Sequence, residues 1–324
     1  MYAIVFANVC KGVAVSLILC GANAHAQNYP TKPVRIIAAA PGSGGDVFSR
    51  QLAPHLSERL RRPVVVENRP GANSTIAATL AARATPDGYT LYMGDVASLA
   101  TAVSLYKVTY DPTRDFAPIT LVATTPLVLV AHTSVPAMNL RELIAHAKKH
   151  PGTIKYASGS TGTPGHLTSA LLAQLARIDM VHVPYKGGGA ALMAVVAREV
   201  EIASLSTTVG MPQIKAGRVK ALTVAAKSRV AALPDVPTAS EAGLPGFESS
   251  AWFGMLAPAH TSSTIVDRLN RDVVDILQTS ALQAWLLAQG AEGITTTPRE
   301  FAGFIKAEIA KWSRVIEVSG ARIE

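Results

Sequence analysis

The chain has 324 residues, 49% of them hydrophobic and 16% charged, which suffices for a sizeable core and excludes a disordered chain. Its net charge of +8 is scattered, with tight basic clusters only at Arg59/Arg61/Arg62 and Lys148/Lys149, and aromatics make up 6%. A nucleic-acid reader concentrates its charge on one face beside aromatics or a reading helix, so that class is excluded and the charge reads as solubility with a mild attraction for anions.

The N-terminus carries the first pattern. Lys11 precedes the apolar stretch Gly12–Cys20, and Ala24-His25-Ala26 follows it. A positive charge, about ten apolar residues and a small-x-small end predict a secretory signal peptide over residues 1–26. The run is too short to span a bilayer, which takes roughly 20 apolar residues. Acylation of Cys20 is the alternative, against which stands the bulk of Leu19. Cys10 and Cys20 are the only cysteines, so cleavage after Ala26 leaves no disulfide and no thiolate metal site. The expectation is a soluble, periplasmic protein without metal or cofactor.

Short β-rich runs then recur at Val34–Ala40, Val64–Asn68, Thr90–Gly94, Ile119–Ala123, Leu127–His132, Ile154–Ser158, Met180–Tyr185, Val200–Ser206, Val219–Ala226 and Trp252–Pro258. Most are continuous apolar stretches, the pattern of parallel strands covered on both faces. Helical patterns separate them. Leu52, Leu56 and Leu60 recur every four residues, although Pro54 lies among them and should kink or break that helix. Leu140, Leu143 and Ile144 precede a basic end. The last helix opens on Thr297-Pro298-Arg299-Glu300, with an N-cap, a first-turn proline and a capping-box glutamate in register. Phe301, Phe304, Ile305, Ile309, Trp312, Val315 and Ile316 continue it as one apolar stripe, and Gly320 should close it.

Repeated strand–helix units imply an α/β fold. There are too many strands for one comfortable open sheet and no eightfold regularity for a barrel, so the expectation is two α/β lobes with mainly parallel sheets around a ligand cleft. Loops rich in small residues lie where ligands sit in such sheets. They are Pro41–Asp46, Arg69–Ser74, Ser158–His166 and Tyr185–Gly189. Their glycines let backbone amides approach a ligand, and the helix ends that follow add partial positive charge. Ordinary tight turns with N-caps are the alternative for each loop. For Asp46 the choice is between N-cap and ligand contact; for His166, between a hydrogen-bonded structural residue and a base.

Enzyme signatures fail. No Gly-x-Ser-x-Gly elbow is present, Gly42–Val47 lacks the third glycine of a dinucleotide fingerprint, and no Walker A, His-Glu-x-x-His or metal-spaced cluster occurs.

Several segments together resemble a known family: Tyr29-Pro30-Thr31-Lys32-Pro33-Val34-Arg35, Val64–Gly71, Pro86-Asp87-Gly88-Tyr89-Thr90-Leu91, Tyr110-Asp111-Pro112, His182–Gly187, Leu233–Thr238, Ala242–Gly246, Trp252-Phe253-Gly254 and Ala257-Pro258-Ala259. The chain is similar in these to the substrate-binding proteins of tripartite tricarboxylate transporters, the Bug type. The resemblance implies a type II periplasmic binding protein fold, with lobe 1 formed by residues 27–124 and 252–324 and lobe 2 by 125–251. The chain would cross between them near Ala123–Pro126 and Ser250–Phe253. It implies a monomeric receptor that closes on a small carboxylate and delivers it to the permease subunits of a tripartite transporter, with no catalytic residue, no cofactor and no nucleic-acid partner. It also implies ligand contacts after the first strand (Ala40, Gly42, Ser43, Gly44, Gly45, Asp46) and after the third (the stretch Asp95–Ser98, with Ser98). From the opposing lobe it implies Ser158, Thr161 and Thr163, then Ser204 and Ser206, with His166 and Tyr185 at retained positions.

The chain departs from the family pattern within that set. Ala39 stands in place of an aromatic, Leu205 in place of an acid, and Ser160-Thr161-Gly162-Thr163 in place of Gly-Asn-Gly-Thr. Such a cleft is expected to take a carboxylate lacking an ammonium group, larger or aromatic. Two other roles stay open at this point: a ligand-loaded partner of a sensor kinase, and an exported hydrolase using Ser160 and His166.

Overall fold

The structure, a computed structural model, describes residues 29–319. The expected signal peptide and Gly320 lie outside the described residues. Strands β1 (Val34–Ala38), β2 (Val64–Asn68), β3 (Thr90–Asp95), β4 (Phe116–His132), β5 (Ile154–Ser158), β6 (Met180–Pro184), β7 (Ile202–Ser206), β8 (Val219–Ala225) and β9 (Ser250–Pro258) match the predicted runs closely, and a two-residue β10 (Glu292–Gly293) was not foreseen. The helices are α1 (Gly44–Leu60), α2 (Thr75–Ala82), α3 (Ala102–Leu105), α4 (Leu140–Lys149), α5 (Pro164–Ala176), α6 (Gly188–Val196), α7 (Thr207–Lys215), α8 (Ser263–Leu277), α9 (Ser280–Ala288) and α10 (Pro298–Ser319).

The strands follow one another in the order β2-β1-β3-β9-β4-β7-β5-β6, with β8 and β10 also paired to β4. The groups β2-β1-β3 and β7-β5-β6 are parallel, while β9 and β4 run antiparallel to their neighbours. The fold is α/β, as expected. The runs Ile119–Ala123 and Leu127–His132 form one 17-residue strand rather than two. Its partners change along its length: Phe116–Pro126 pairs with β9, and from Leu127 onward it pairs with β7 and β8. The strand tolerates Pro118 and Pro126 because its register with β9 shifts near Pro118 and because Pro126 stands where the partner changes. One continuous strand thus joins both halves of the sheet.

Helix α1 corrects another expectation, since it runs unbroken through Pro54. Proline removes one backbone donor and crowds the preceding turn. Here its ring stands on the exposed side, while Phe48, Leu52, Leu56 and Leu60 bury the opposite face. The capping box of α10 forms as read: Thr297 N–H donates to Glu300 Oε2 at 2.8 Å and Glu300 N–H to Thr297 Oγ1 at 3.2 Å. Its stripe buries Phe301, Ile305, Trp312 and Ile316, with Phe304 and Ile309 packed alongside.

Behind the stripe, Glu308 ties α10 to the start of β9. Its Oε2 accepts the indole N–H of Trp252 at 2.8 Å and of Trp312 at 2.9 Å, and Lys311 Nζ lies 3.1 Å from Oε1. Buried indole donors need a partner. Glu308→Ala should therefore destabilise the protein by about 2–4 kcal/mol, as the cost of orphaning two buried donors, whereas Glu308→Gln, which keeps an acceptor oxygen, should lose less. Urea-unfolding midpoints check this; equal losses for the two variants would contradict it.

Candidate ligand-binding site

A cavity of about 450 Å³ lies between the two halves of the sheet. Four of the strands that reach it, β1, β5, β6 and β7, end there and lead into helices whose caps or first residues line the wall. After β1 come Ala39, Ala40, Ser43 and Gly44; after β5 come Gly159, Ser160, Thr163, Pro164 and Gly165. Tyr185 to Gly188 precede and open α6, Ser204 to Ser206 lead into α7, and Val209 follows within it. The crossing strands add Leu127, Ala251 and Phe253. The N-termini of α1, α5, α6 and α7 therefore face one space, and their leading amides have no intrahelical acceptor.

Two of these ends are capped from within. Ser43 Oγ accepts Asp46 N–H and Thr163 Oγ1 accepts His166 N–H, each at 3.4 Å. Gly187 and Ser206 make no side-chain cap bond, which leaves the ends of α6 and α7 open towards the cavity.

The cleft is shut along one side by backbone-on-backbone contact. A Cβ on Gly189 would stand 3.1 Å from Gly42 O, and one on Gly187 2.5 Å from the Ala40 methyl carbon. Gly187 also has φ +104°, which an L side chain rarely adopts. Hydrogen bonds fasten the neighbouring edges. Thr101 Oγ1 donates to Gly162 O and Tyr106 OH to Thr161 O, both at 2.8 Å, and Thr207 Oγ1 donates to Gly290 O at 2.8 Å.

Of the residues singled out from sequence, Ala40, Ser43, Gly44, Thr163, Tyr185, Ser204 and Ser206 line the cavity. Gly42 and Gly45 flank the wall without lining it. Asp46 stands behind it: burial works to raise its pKa, but Gly42 N–H at 2.9 Å, Asn68 Nδ2 at 2.8 Å and Arg50 Nε at 2.9 Å hold its carboxyl below the usual range. It thus fixes the loop whose backbone meets the cleft. Ser98 is fully buried, its Oγ bonded to Tyr92 OH at 2.7 Å and to Asp95 Oδ1 at 2.8 Å. Thr161 offers its carbonyl to Tyr106 rather than a hydroxyl to the cavity.

Sequence reasoning did not single out Leu127, Val209 and Phe253, whose positions read as ordinary strand and helix core. The Phe253 ring lies against the Gly44 backbone where a Cβ would otherwise be. It also left unweighed the charge of Asp95. The loop Arg69–Ser74, read from sequence as one of the ligand loops, does line the cavity, and φ in its Gly71–Ser74 stretch is +119°, +45°, +52° and +65° in succession. Asparagine tolerates this region and alanine does so poorly, so the run is strained. Ser74 Oγ on Asp95 Oδ2 at 3.0 Å and Asn73 Nδ2 on Thr101 Oγ1 at 3.3 Å hold it against the cavity.

Ser158 and His166 belong to a second layer below the cleft. Gly162 N–H donates to His166 Nδ1 at 3.1 Å, so that nitrogen carries no proton and His166 is neutral. The His166 ring stacks on His182 with centroids 4.1 Å apart, Tyr156 stacks on His182 at 5.0 Å, and Ser158 Oγ lies 2.7 Å from His182 Nε2. Burial lowers the pKa of both histidines, and with His166 adjacent it takes His182 from 6.5 down to about 4. A folded pKa below the unfolded one means that the stabilisation is present above about pH 6.5 and is lost as pH falls through about 4. His182→Gln should therefore flatten the fall in thermal midpoint across that interval. Parallel pH curves for variant and parent would contradict the assignment.

The chain matches the description "Tripartite tricarboxylate transporter family receptor" over residues 48–321. Protein BugT of Bordetella pertussis is 34% identical to it over 320 residues, covering 97% of each chain. Among solved structures, R. palustris Rpa4515 with adipate superposes with TM-score 0.89 at 31% identity, covering 91% of this chain and all of the other. The periplasmic binding protein BugD superposes with TM-score 0.87 at 33% identity over the same shares, and MatC from Rhodopseudomonas palustris with bound malate with 0.84 at 34%, over 89% of this chain. No helix among the described residues is long and apolar enough to cross a membrane. This family is one of solute-binding receptors rather than enzymes, and the chain belongs to it: it is a member of the tripartite tricarboxylate transporter receptor family, of the Bug type.

Proposed function

We propose that the protein is a periplasmic receptor that captures a small carboxylate in its interlobe cleft and hands it to the permease subunits of a tripartite tricarboxylate-type transporter. The observation that carries this reading is the convergence of the α1, α5, α6 and α7 N-termini on a cavity of about 450 Å³ with no cationic side chain buried in its wall. Backbone amides at helix ends suit a carboxylate, and they bind it without the desolvation of an arginine. Relatives bound to adipate and to malate support the same chemistry.

In this reading residues 27–124 with 252–324 form one lobe and 125–251 the other, and the crossings near Ala123–Pro126 and Ser250–Phe253 act as the hinge. Each lobe alone offers part of the amide set, so a ligand stabilises the closed arrangement by its differential affinity. Ser43, Gly44, Thr163, Ser204 and Ser206 meet the ligand, Ala40 and Tyr185 shape its surroundings, and Gly42, Gly45, Asp46, Ser98, Ser158, Thr161 and His166 hold the contacting loops in place. The protein acts as a monomer exported through the signal peptide at residues 1–26.

Thermal unfolding of the mature protein, refolded to strip carried ligand, tests this against mono-, di- and tricarboxylates, aromatic acids and uncharged controls. A ligand at about 100 times its dissociation constant should add about 2.7 kcal/mol and raise the midpoint visibly. Shifts confined to carboxylates are expected; a panel flat for every carboxylate would overturn the reading.

A further inference from the structure

We propose that Asp95 makes this cleft select carboxylates with a single charge and an apolar body, rejecting diacids. The proposal rests on the carboxylate-receptor reading and names the class of acid that the same cavity takes.

Asp95 ends β3 on the cavity wall, where the only other charged residue among those described is Lys186, which is exposed. No lysine, arginine or histidine among the described residues forms an ion pair with Asp95, and burial raises its pKa against the pull of the donors around it. A second ligand carboxylate reaching this wall would meet an uncompensated negative charge in a partly enclosed site, where Coulomb repulsion is stronger than in bulk solvent.

The carboxylate is held in place by its own donors. Asp95 Oδ1 accepts Ser98 N–H and Ser98 Oγ–H, each at 2.8 Å; Oδ2 accepts Ser74 Oγ–H at 3.0 Å; and the Ala97 N–H bonds the same carboxylate. A carboxylate offers about four lone-pair sites, so these donors fill it. They also fix the carboxylate at the strained Gly71–Ser74 loop, which prevents it from turning to meet a ligand.

Much of the rest of the wall is apolar. Leu127, Leu205, Val209, Ala251 and Phe253 come from the crossing strands, β7 and α7, and Ala39 adds a methyl group. Such a surface is complementary to a hydrocarbon chain or ring, and the volume of about 450 Å³ lies in the range of small-molecule sites. One carboxylate fits the helix ends, and the body fits the leucine, valine and phenylalanine side chains; a second carboxylate placed along this wall meets Asp95.

Equilibrium titrations of the refolded mature protein with matched probes test this. Hexanoate and adipate share six carbons, and monomethyl adipate masks one charge of the diacid. Hexanoate and the monoester should each bind about tenfold or more tighter than adipate. Asp95→Asn should narrow the hexanoate–adipate gap. Adipate binding as tightly as hexanoate, or a monoester no better than the diacid, would each overturn the proposal. The ester comparison needs no variant, so it stands even if Asp95→Asn folds poorly. A protein that binds none of these acids, nor any other carboxylate, would sink the receptor reading itself, whereas diacid preference would sink only the selectivity.

Discussion

Gly189 and Gly187 bring one half of the molecule against the backbone at Gly42 and the methyl group of Ala40, so closely that a Cβ would stand 3.1 Å and 2.5 Å from them respectively. That contact sets where α6 begins relative to α1, and so where two helix ends point. The other features of the cleft accompany it: the α5 and α7 N-termini arrive at the same space, and the Thr101–Gly162 and Thr207–Gly290 bonds fasten its rims. Glycine alone permits such backbone approach.

Charge is arranged around the cleft and not in it. Asp46 is partnered behind the β1 loop, where it holds Gly42 and meets Arg50 outside the wall. Anion attraction is thus left to peptide dipoles, which carry no large desolvation cost. Asp95 is the exception, an acid on the wall with donors but no cation, and it gives the site a polarity that a ring of amides alone would lack.

Much of this was legible in the sequence. Parallel strands buried on both faces announce themselves as continuous apolar runs, and Thr297 with Glu300 marked the last helix because a capping box is a local device. The small-residue loops pointed to the cleft for a similar reason, since a close backbone approach demands glycine at fixed places. The fused strand β4 was hidden by Pro118 and Pro126, whose tolerance depends on register shifts and on a change of partner strand. Pro54 looked disruptive because propensity takes no account of which face of α1 is buried. Leu127, Val209 and Phe253 were hidden because a residue that lines a cavity and one that fills a core are alike in type, and long-range pairing alone decides which it becomes. Leu205 and Ala39, identified as departures from the family pattern, do line the cavity.

Small-angle scattering from the mature protein, with and without a carboxylate that raises its thermal midpoint, tests most directly whether closure across these glycines makes the site. The radius of gyration should fall on ligand addition in the parent protein, and Gly189→Leu, with a side chain wedged against Gly42, should fail to contract. A parent protein whose dimensions do not change with a bound ligand, or a leucine variant that contracts as fully as the parent, would contradict the account.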